Sequence, residues 1–313
     1  MPTDTTKSQD VSKDIGMSVI FATLKFHRKN READLDALRE VAGRLPAIAH
    51  SLCIRDGGFG VRVSLGLSRD AWEYFFPGAS KPCELEEFAG LSGDGVVMPA
   101  DGSDLFLHVR AQHEAVAYEF VTLVMEYLRP VVDVVDETHG FGYFEGRAII
   151  GFIDGTEAPS PDVSAGYALI DDEDPGFING SYAFAQKWTH DMAGWNALST
   201  QMQEKAVGRR KFTDIELDDD QKDPGAHNVA AKVEFDGEEQ KIVRMNVAWS
   251  NPASGQTGTY FIGYSRRWAV TKAMLEHMLA VHDRLFDFST ITTGQLFFIP
   301  SKDMLARIAA GTI

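Results

Sequence analysis

Asp154 lies between two glycines in a segment where its carboxylate could stand beside a bulky ligand. The segment is GFIDGTEAP, residues 151–159, and the flanking glycines are Gly151 and Gly155. Glycine at both positions lets the backbone turn tightly and approach a ligand closely. The alternative is an ordinary turn, in which the Asp side chain accepts a hydrogen bond from a neighbouring amide. An isolated Asp–Gly pair favours the turn.

His227, in the segment DPGAHNVA, is a candidate metal ligand. A lone histidine after an acidic loop is ordinarily solvated, but the sequence contains no HExxH, CxxC or GxSxG motif and no P-loop. The pairs His108/His113 and His277/His282 are spaced so that their rings do not share a helical face, which argues against a structural zinc site. A single neutral imidazole is nevertheless sufficient as an axial ligand of a heme.

Arg244 and Asn246 occur in the β-type segment VRMNVAW. The two-residue period of a strand places both side chains on one face, opposite Met245 and Val247. A charged Arg beside an apolar run needs a carboxylate, a phosphate or solvent as its partner. The alternative is a solvent-facing Arg on an edge strand.

Asp283 and Asp287 are spaced i, i+4 near the end of a predicted helix over residues 269–288, which places them on one helical face. A carboxylate there could hydrogen-bond the outer nitrogen of an axial histidine. Equally, Asp283 could pair with Arg284 in solvent.

The elements that position these residues predict an α+β fold with two ferredoxin-like halves, in which antiparallel sheets carry packed helices. The first half reads strand, helix, strand, strand, helix, strand, with strands at 17–26, 61–68, 105–111 and 131–141 and helices at 31–45 and 113–129. The second half repeats this order with insertions, with strands at 181–191, 241–250, 259–265 and 294–300 and helices at 193–208 and 269–288. The expected divisions are a disordered tail (1–16), an N-terminal half (17–150) and a C-terminal half that carries the site (151–313).

Composition narrows the class of protein and of partner. The 313 residues include 30 Lys and Arg against 46 Asp and Glu, a net charge of −16. Such a field repels phosphate groups, so we expect neither nucleic acid nor an anionic membrane as a partner. Two cysteines, Cys53 and Cys83, cannot form a disulfide framework or a zinc cluster, and reduced thiols indicate a cytoplasmic location. No apolar run is long enough for a transmembrane helix, and the N-terminus is not of the signal-peptide type.

Five separated blocks together resemble the dye-decolorizing peroxidases, heme proteins with a duplicated ferredoxin-like fold of the dimeric α+β barrel type. The blocks are GFIDGTEAP (151–159), GRRKFTDIEL (208–217), AHN (226–228), RMNVAW (244–249) and HDRLFDFSTITTGQLFFIPS (282–301). The resemblance covers about residues 17–308, and the short length is similar to that of the compact bacterial subfamily. One departure is Ala158, where the family commonly has Asn.

The resemblance implies a role for each matching residue around heme b (iron protoporphyrin IX). His227 is then the proximal iron ligand, oriented by Asp283 or, failing that, Asp287. The residues implied on the distal, peroxide-binding face are Asp154, Arg244 and Asn246. Further cofactor contacts are implied for Arg209, near a propionate, and for Gly155, Thr156 and Phe261.

The implied activity is that of a heme peroxidase, which reduces hydrogen peroxide through a ferryl intermediate while it oxidises bulky organic substrates such as dyes. Asp154 would move the peroxide proton, and Arg244 would stabilise the negative charge that grows as the O–O bond breaks. The expected partners are hydrogen peroxide, small organic reductants and further copies of the chain in a homo-oligomer. Two alternatives stay open: a heme-binding or heme-iron-handling protein without peroxide turnover, and a ferredoxin-like binding module without heme.

Overall fold

Thirteen strands and nine α-helices make up the regular structure of the computed structural model, which describes residues 3–12, 15–55 and 60–313. The strands are β1 (Ser18–Phe26), β2 (Arg62–Leu67), β3 (Leu91–Gly93), β4 (Val96–Met98), β5 (Leu105–Ala111), β6 (Val132–Phe141), β7 (Ser181–His190), β8 (Val233–Phe235), β9 (Glu238–Gln240), β10 (Val243–Asn251), β11 (Gln256–Ser265), β12 (Ser289–Ile291) and β13 (Gln295–Ile299). The helices are α1 (Arg31–Arg55), α2 (Arg69–Phe75), α3 (Glu114–Leu128), α4 (Ser164–Ala168), α5 (Met192–Ala197), α6 (Thr200–Val207), α7 (His227–Ala230), α8 (Trp268–Val281) and α9 (Lys302–Ala310). Short 3₁₀ turns cover Phe144–Gly146, Pro252–Ser254 and Arg284–Phe288. Within these described ranges, no helix is both long and apolar enough to cross a bilayer.

Eight of the strands close into an antiparallel barrel. They pair in the order β6–β1–β5–β2–β13–β7–β11–β10, and β10 pairs with β6 to complete the circuit. In each half, the fourth, first, third and second long strands lie side by side, which is the ferredoxin-like arrangement. The predicted α+β fold with two ferredoxin-like halves is therefore confirmed. The boundary predicted at residue 150 falls in the connection between β6 and β7.

Side chains alternate along β10 between the interior of the barrel and its outer face. Met245 and Val247 are buried in the hydrophobic cluster that fills the barrel. Arg244 and Asn246 belong to the opposite face and are only half-buried. The predicted shared face of Arg244 and Asn246 is thus confirmed, and that face is the one on which helix α8 packs against the neighbouring strands β11 and β7.

The two halves meet at two short seams, the pairing of β10 with β6 and the pairing of β13 with β2. At the first, β10 pairs with β6 through residues that include Trp249 opposite Gly140. A side chain at Gly140 would place its Cβ 2.5 Å from Cγ1 of Val247, so only glycine permits this approach. At the second, β2 and β13 share the single pair Leu67 and Phe298, which leaves most of the edge of β2 to be satisfied by other groups.

The N-terminal segment satisfies that edge. The side-chain Nε2 of Gln9 donates to the carbonyls of Leu65 and Pro300, both at 2.9 Å, and its Oε1 accepts from the Leu65 amide at 2.8 Å. The prediction of a disordered tail over 1–16 is therefore wrong for residues 3–12, because their polar side chains bond to strand edges that are distant in sequence. Residues 1, 2, 13 and 14 of that predicted tail lie outside the described residues.

The last predicted helix ends earlier than its sequence pattern indicates. His282 adopts a left-handed conformation with φ of 54°, which stops the α-helix that was expected to run over 269–288. The carboxylate of Asp283 then caps the following 3₁₀ turn by accepting from the amide of Leu285. Asp283 and Asp287 consequently do not share a helical face, and the predicted geometry of that pair is wrong.

Candidate active site

A cavity opens between the outer face of the C-terminal sheet and helix α8. Strands β7, β10 and β11 form one wall, and α7, α8 and the segment around Asp154 form the others. Most of the lining is aliphatic or aromatic, including Trp188, Phe261, Met274 and Met278. The polar residues of the lining are Asp154, Gln186, His190, His227, Arg244, Asn246, Thr259 and Thr271. An apolar cavity with a few converging polar groups is the ordinary form of a ligand or cofactor site.

His227 is tied to one carboxylate. It begins α7, and its Nδ1 lies 2.6 Å from Oδ2 of Asp283, which is fully buried. A buried carboxylate accepts hydrogen bonds, so Nδ1 carries the proton and Nε2 keeps a free lone pair. The structure therefore brings the predicted ligand and Asp283 together and leaves one ring nitrogen available for a metal ion.

Gly225 allows the two segments that carry this pair to touch. Its Cβ, if it had one, would lie 2.4 Å from the carbonyl oxygen of His282. Its own carbonyl accepts from the amide of Arg284 at 2.9 Å. The turn before His227 and the left-handed residue before Asp283 thus pack backbone against backbone, which sets the position of both side chains.

Asp287 does not reach His227. Its Oδ1 lies 3.0 Å from Nε2 of His282, and its Oδ2 accepts from Nη1 of Arg284 at 2.8 Å. The alternative in which Asp287 orients the histidine is therefore wrong, and so is the alternative that pairs Asp283 with Arg284.

Asp154 is held by Asn246 through two hydrogen bonds. The side-chain Nδ2 of Asn246 donates to Oδ1 of Asp154 at 2.7 Å, and the backbone amide of Asn246 donates to Oδ2 at 3.2 Å. That amide is free for this purpose because β10 pairs with β6 only further along, at Ala248 and Trp249. The Asp154 segment thus occupies the unpaired edge of β10, and its carboxylate is fixed at the cavity wall.

Arg244 faces the same cavity as a free cation. In the part of the chain that the structure describes, no hydrogen bond or ion pair engages its guanidinium group, and Asp154 is not its partner. The N–H groups of this half-buried guanidinium are therefore available to donate hydrogen bonds to a ligand in the cavity. The site therefore combines a fixed carboxylate with a free positive charge on one strand edge.

Three of the predicted cofactor contacts do not line the cavity. The guanidinium of Arg209 is engaged by Glu157 at 2.7 Å and by Asp214 at 2.9 Å. The hydroxyl of Thr156 donates to the same Asp214 at 2.7 Å, and Gly155 forms the adjacent left-handed turn. Their contact with a cofactor stays a prediction. Phe261, by contrast, lines the cavity beside Asn246, its partner across the strands.

His190 and Thr259 are functional candidates that sequence reasoning missed. Nε2 of His190 lies 2.8 Å from the hydroxyl of Thr259, and its Nδ1 lies 2.8 Å from the hydroxyl of Ser289. Burial lowers the pKa of His190 to about 4, so the imidazole is neutral near neutral pH. The sequence feature that could have identified His190 is the two-residue period of β7, which places Gln186, Trp188 and His190 on one face.

Trp249, on the same strand β10 as Arg244, and Tyr260, on the neighbouring strand β11, lie inside the barrel. We expect surface aromatic residues to pass electrons from substrates that are too large for a pocket, and Trp249 and Tyr260 are the candidates by sequence. Both are buried, and the Tyr260 ring stacks on Phe21 at 3.9 Å. Neither can therefore meet a substrate at the surface.

Comparisons with known proteins find the same family over nearly the whole chain. A family model described as "Dyp-type peroxidase, N-terminal" matches residues 9–142, and one described as "Dyp-type peroxidase, C-terminal" matches residues 145–304. The dye-decolorizing peroxidase of Mycobacterium tuberculosis is 42% identical, with 86% of this chain and 81% of that protein covered. That of Rhodococcus erythropolis is 38% identical, with 92% of this chain and 85% of that protein covered.

Solved structures show the same likeness. A dye-decolorizing peroxidase from Bacteroides thetaiotaomicron superimposes with a TM-score of 0.92 at 40% identity, covering 96% of this chain and 98% of that one. A DypB variant from Rhodococcus jostii, solved in complex with heme, superimposes with a TM-score of 0.89 at 37% identity, covering 96% and 98%.

Proposed function

The chain belongs to the Dyp-type peroxidase family, and we propose that its cavity binds heme b through His227 and reduces peroxide with Asp154, Arg244 and Asn246. The protein is a heme-dependent peroxidase, an oxidoreductase that reduces hydrogen peroxide while it oxidises bulky organic substrates such as dyes. The observation that carries the residue assignments is that one cavity is lined by an imidazole bonded to a carboxylate, by a second, fixed carboxylate, and by a guanidinium that no other described residue engages.

The lining of the cavity fits a heme. Its aliphatic and aromatic walls suit an apolar macrocycle, and the available lone pair of His227 suits the iron. Over the described ranges no three His, Cys, Asp or Glu side chains converge to hold a bare metal ion, so an iron that this site binds must bring its other ligands with it. When bound, the heme supplies the iron at which the peroxide O–O bond is cleaved and the oxidising equivalents are kept.

His227 and Asp283 act together as the ligand unit. Asp283 fixes the tautomer and the ring orientation of His227 through a short hydrogen bond from the ring to a buried carboxylate. An imidazole that donates to a carboxylate gives more electron density to a metal, which stabilises iron in its oxidised forms. The pair thus provides both attachment and electronic tuning.

Asp154 moves the proton that peroxide cleavage requires. Oδ1 is occupied by the short bond from Asn246, whereas Oδ2 accepts only the longer bond from the backbone. Oδ2 therefore takes the proton from one peroxide oxygen and returns it to the other, which then leaves as water. Asn246 keeps the carboxylate in place for both transfers.

Arg244 offers positive charge to the oxygen on which negative charge grows. Because its donors are not engaged by other described side chains, they need not break an existing bond to do this. Asp154 thus moves the proton, and Arg244 supplies a fixed positive charge. Both residues lie on one wall of the cavity.

The cellular location and the partners of the protein are also part of the proposal. The free thiols of Cys53 and Cys83 support a reducing, cytoplasmic location. Hydrogen peroxide and organic reductants are the small-molecule partners.

An absorption spectrum tests the proposal directly. After addition of heme, the wild-type protein should show a Soret band whose position differs from that of free heme, and hydrogen peroxide should change that band. His227→Ala should lose the band or shift it, whereas His277→Ala should keep it, because His277 bonds only the carbonyl of Ala230. A band that does not respond to peroxide would instead favour heme handling without turnover.

A further inference from the structure

A chain of three side chains leads from the cavity wall to the edge of the sheet. The hydroxyl of Thr259, the imidazole of His190 and the hydroxyl of Ser289 are joined in series, each link being 2.8 Å long. Thr259 and His190 line the cavity, and Ser289 does not. Thr259 and Ser289 are both half-buried, so neither end of the chain is sealed by protein.

Three different strands hold this chain in register. His190 ends β7, Thr259 lies on β11, and Ser289 begins β12, where it is the direct cross-strand partner of His190. In the described structure β12 pairs only with β7, so Ser289 stands at a free edge of the sheet. The imidazole is therefore clamped between two hydroxyls by the sheet itself.

The inner end lies near the residues that handle peroxide. Thr259 is the diagonal neighbour of Asn246 across β10 and β11, because Asn246 pairs with Phe261 two residues further along. Diagonal neighbours in an antiparallel sheet are about 7–8 Å apart, a gap that one or two water molecules span. Asn246 in turn holds Asp154. The hydroxyl of Thr259 and the carboxylate of Asp154 thus line the same cavity.

We propose that Thr259, His190 and Ser289 form a proton relay between solvent at the edge of the sheet and the peroxide side of the cavity. Reduction of one hydrogen peroxide to two waters takes up two electrons and two protons, and the organic reductant supplies the electrons. The relay supplies the protons. Ser289 passes its hydroxyl proton to Nδ1 of His190, Nε2 releases its proton to the Thr259 oxygen, and the Thr259 hydroxyl proton moves to cavity water.

The chemistry of the three groups suits this role. A hydroxyl both donates and accepts, and a neutral imidazole has one donor and one acceptor nitrogen. A charged imidazole would donate at both nitrogens and could not accept from either hydroxyl. The low pKa of His190 keeps the ring neutral, and no charged side chain contributes to that shift. Ser289 recovers its proton from water at the edge of the sheet. The imidazole, left with its proton on Nδ1, exchanges that proton with water and returns to the tautomer protonated on Nε2 before the next transfer.

Cyanide binding by the ferric, heme-loaded protein tests this relay without turnover. At neutral pH the ligand is hydrogen cyanide, which must lose its proton as it binds. A relay changes rates and not equilibria, so the association and dissociation rates should fall by the same factor while the Kd stays unchanged. We expect His190→Gln and Thr259→Val to slow both rates about tenfold or more, since general acid–base groups contribute at least that much. Gln can bond both hydroxyls but cannot pass a proton on.

Two further variants complete the experiment. Thr257→Val removes a hydroxyl from the same strand that bonds Ser250 and not His190, and it should leave both rates unchanged. Ser289→Ala removes the outer hydroxyl without altering the cavity lining, so it should slow both rates even if His190→Gln fails to load heme. Rates within twofold of wild type in Ser289→Ala, or a changed Kd with an unchanged association rate, would overturn the relay.

This inference rests on the proposed function, and the same measurement separates the two failures. If the wild-type protein with added heme binds no cyanide, the proposed heme site is wrong. If the wild type binds cyanide and all three relay variants match its rates, the heme site stands and the relay is wrong.

Discussion

Asp283 contributes more to the site than the orientation of one ring. It is completely buried, so its negative charge depends on the donors that reach it, namely Nδ1 of His227 and the amide of Leu285. The N–H of His227 is therefore as necessary to the carboxylate as the carboxylate is to the imidazole. Removing the charge changes both partners.

Asp283→Asn should weaken heme binding. The amide keeps the size of the carboxylate but loses the charge that fixes the His227 tautomer, and the loss of such a partner typically costs about 10- to 100-fold in metal affinity. The heme dissociation rate, followed by transfer to an excess of a strong heme acceptor, measures this. Asp287→Asn is the matched control, because Asp287 bonds His282 and Arg284 only. Equal dissociation rates in the two variants would contradict the role of Asp283.

Arg244→Leu and Asp154→Asn should both slow the reaction with peroxide. Removing one preorganised charge or donor typically costs about 10²–10³-fold, and we expect a loss of that order for Arg244→Leu. Stopped-flow mixing of the heme-loaded variants with peroxide gives the rates. Arg266→Leu is the control, since Arg266 pairs with Glu173 away from the cavity. If neither variant changes the rate, the assignment of these residues is wrong.

Local patterns predict some of the site, and long-range contacts decide the rest. Alternation along β10 is a local property, and it correctly places Arg244 and Asn246 on one face. The bond between His227 and Asp283 joins residues 56 apart in sequence, and the choice of Asp283 over Asp287 depends on where the helix stops. No local pattern shows that stop, because it is set by backbone contact with Gly225.

Among the elements, the N-terminal segment is the clearest case of a polar sequence with a structural role. A polar composition predicts disorder when nothing is available to bond the side chains. Here the edge of β2 and the end of β13 present free backbone groups, and Gln9 bonds both through its side-chain amide. The segment therefore closes the seam between β2 and β13.

Gln9→Ala should destabilise the barrel at that seam. Three hydrogen bonds to backbone groups are lost, and because each such bond contributes about 0.5–1.5 kcal/mol net, we expect a loss of about 1.5–4.5 kcal/mol in the free energy of unfolding. Urea denaturation followed by circular dichroism measures this. Lys7→Ala is the control, since its side chain is exposed and its pair with Asp303 is 3.7 Å long. A loss no larger than that of the control would show that the seam does not depend on Gln9.

At the scale of the whole molecule, the net charge of −16 sets which reductants approach most readily. A negative field concentrates cations near the surface and repels anions. We expect a lower KM for a cationic dye than for an anionic dye of similar size at low salt. The difference should shrink as salt is raised, because the screening length falls from about 30 Å at 0.01 M to about 3 Å at 1 M. An unchanged ratio of KM values over that range would rule out steering by net charge.

One buried and one half-buried histidine make the free energy of unfolding depend on pH in the acid range. His108 lies inside the barrel, fully buried, with its Nδ1 2.8 Å from the Tyr264 hydroxyl and its ring stacked on Phe21 at 4.5 Å. Burial lowers the pKa of His108 well below its ordinary value. Burial also lowers the pKa of His190, which lies on the outer face of the same barrel, to about 4. Both rings are neutral in the folded protein and gain protons readily only when it unfolds.

The free energy of unfolding should therefore fall between pH 6.5 and pH 4. Over that interval the unfolded chain binds more protons than the native protein, so the free energy of unfolding rises with pH. The contribution of the neutral rings is fully present above the unfolded pKa near 6.5, and it is lost as pH falls through the folded pKa. For His190 the full loss is about 3 kcal/mol at most. Urea denaturation of the heme-free protein at pH 7, 5.5 and 4 measures the slope. His190→Gln should show a shallower slope than wild type, whereas His139→Gln, whose side chain is 44% exposed, should keep the wild-type slope. If His190→Gln loses as much stability as wild type between pH 7 and pH 4, the imidazole of His190 is not held neutral by the fold, and the relay that needs a neutral ring loses its basis.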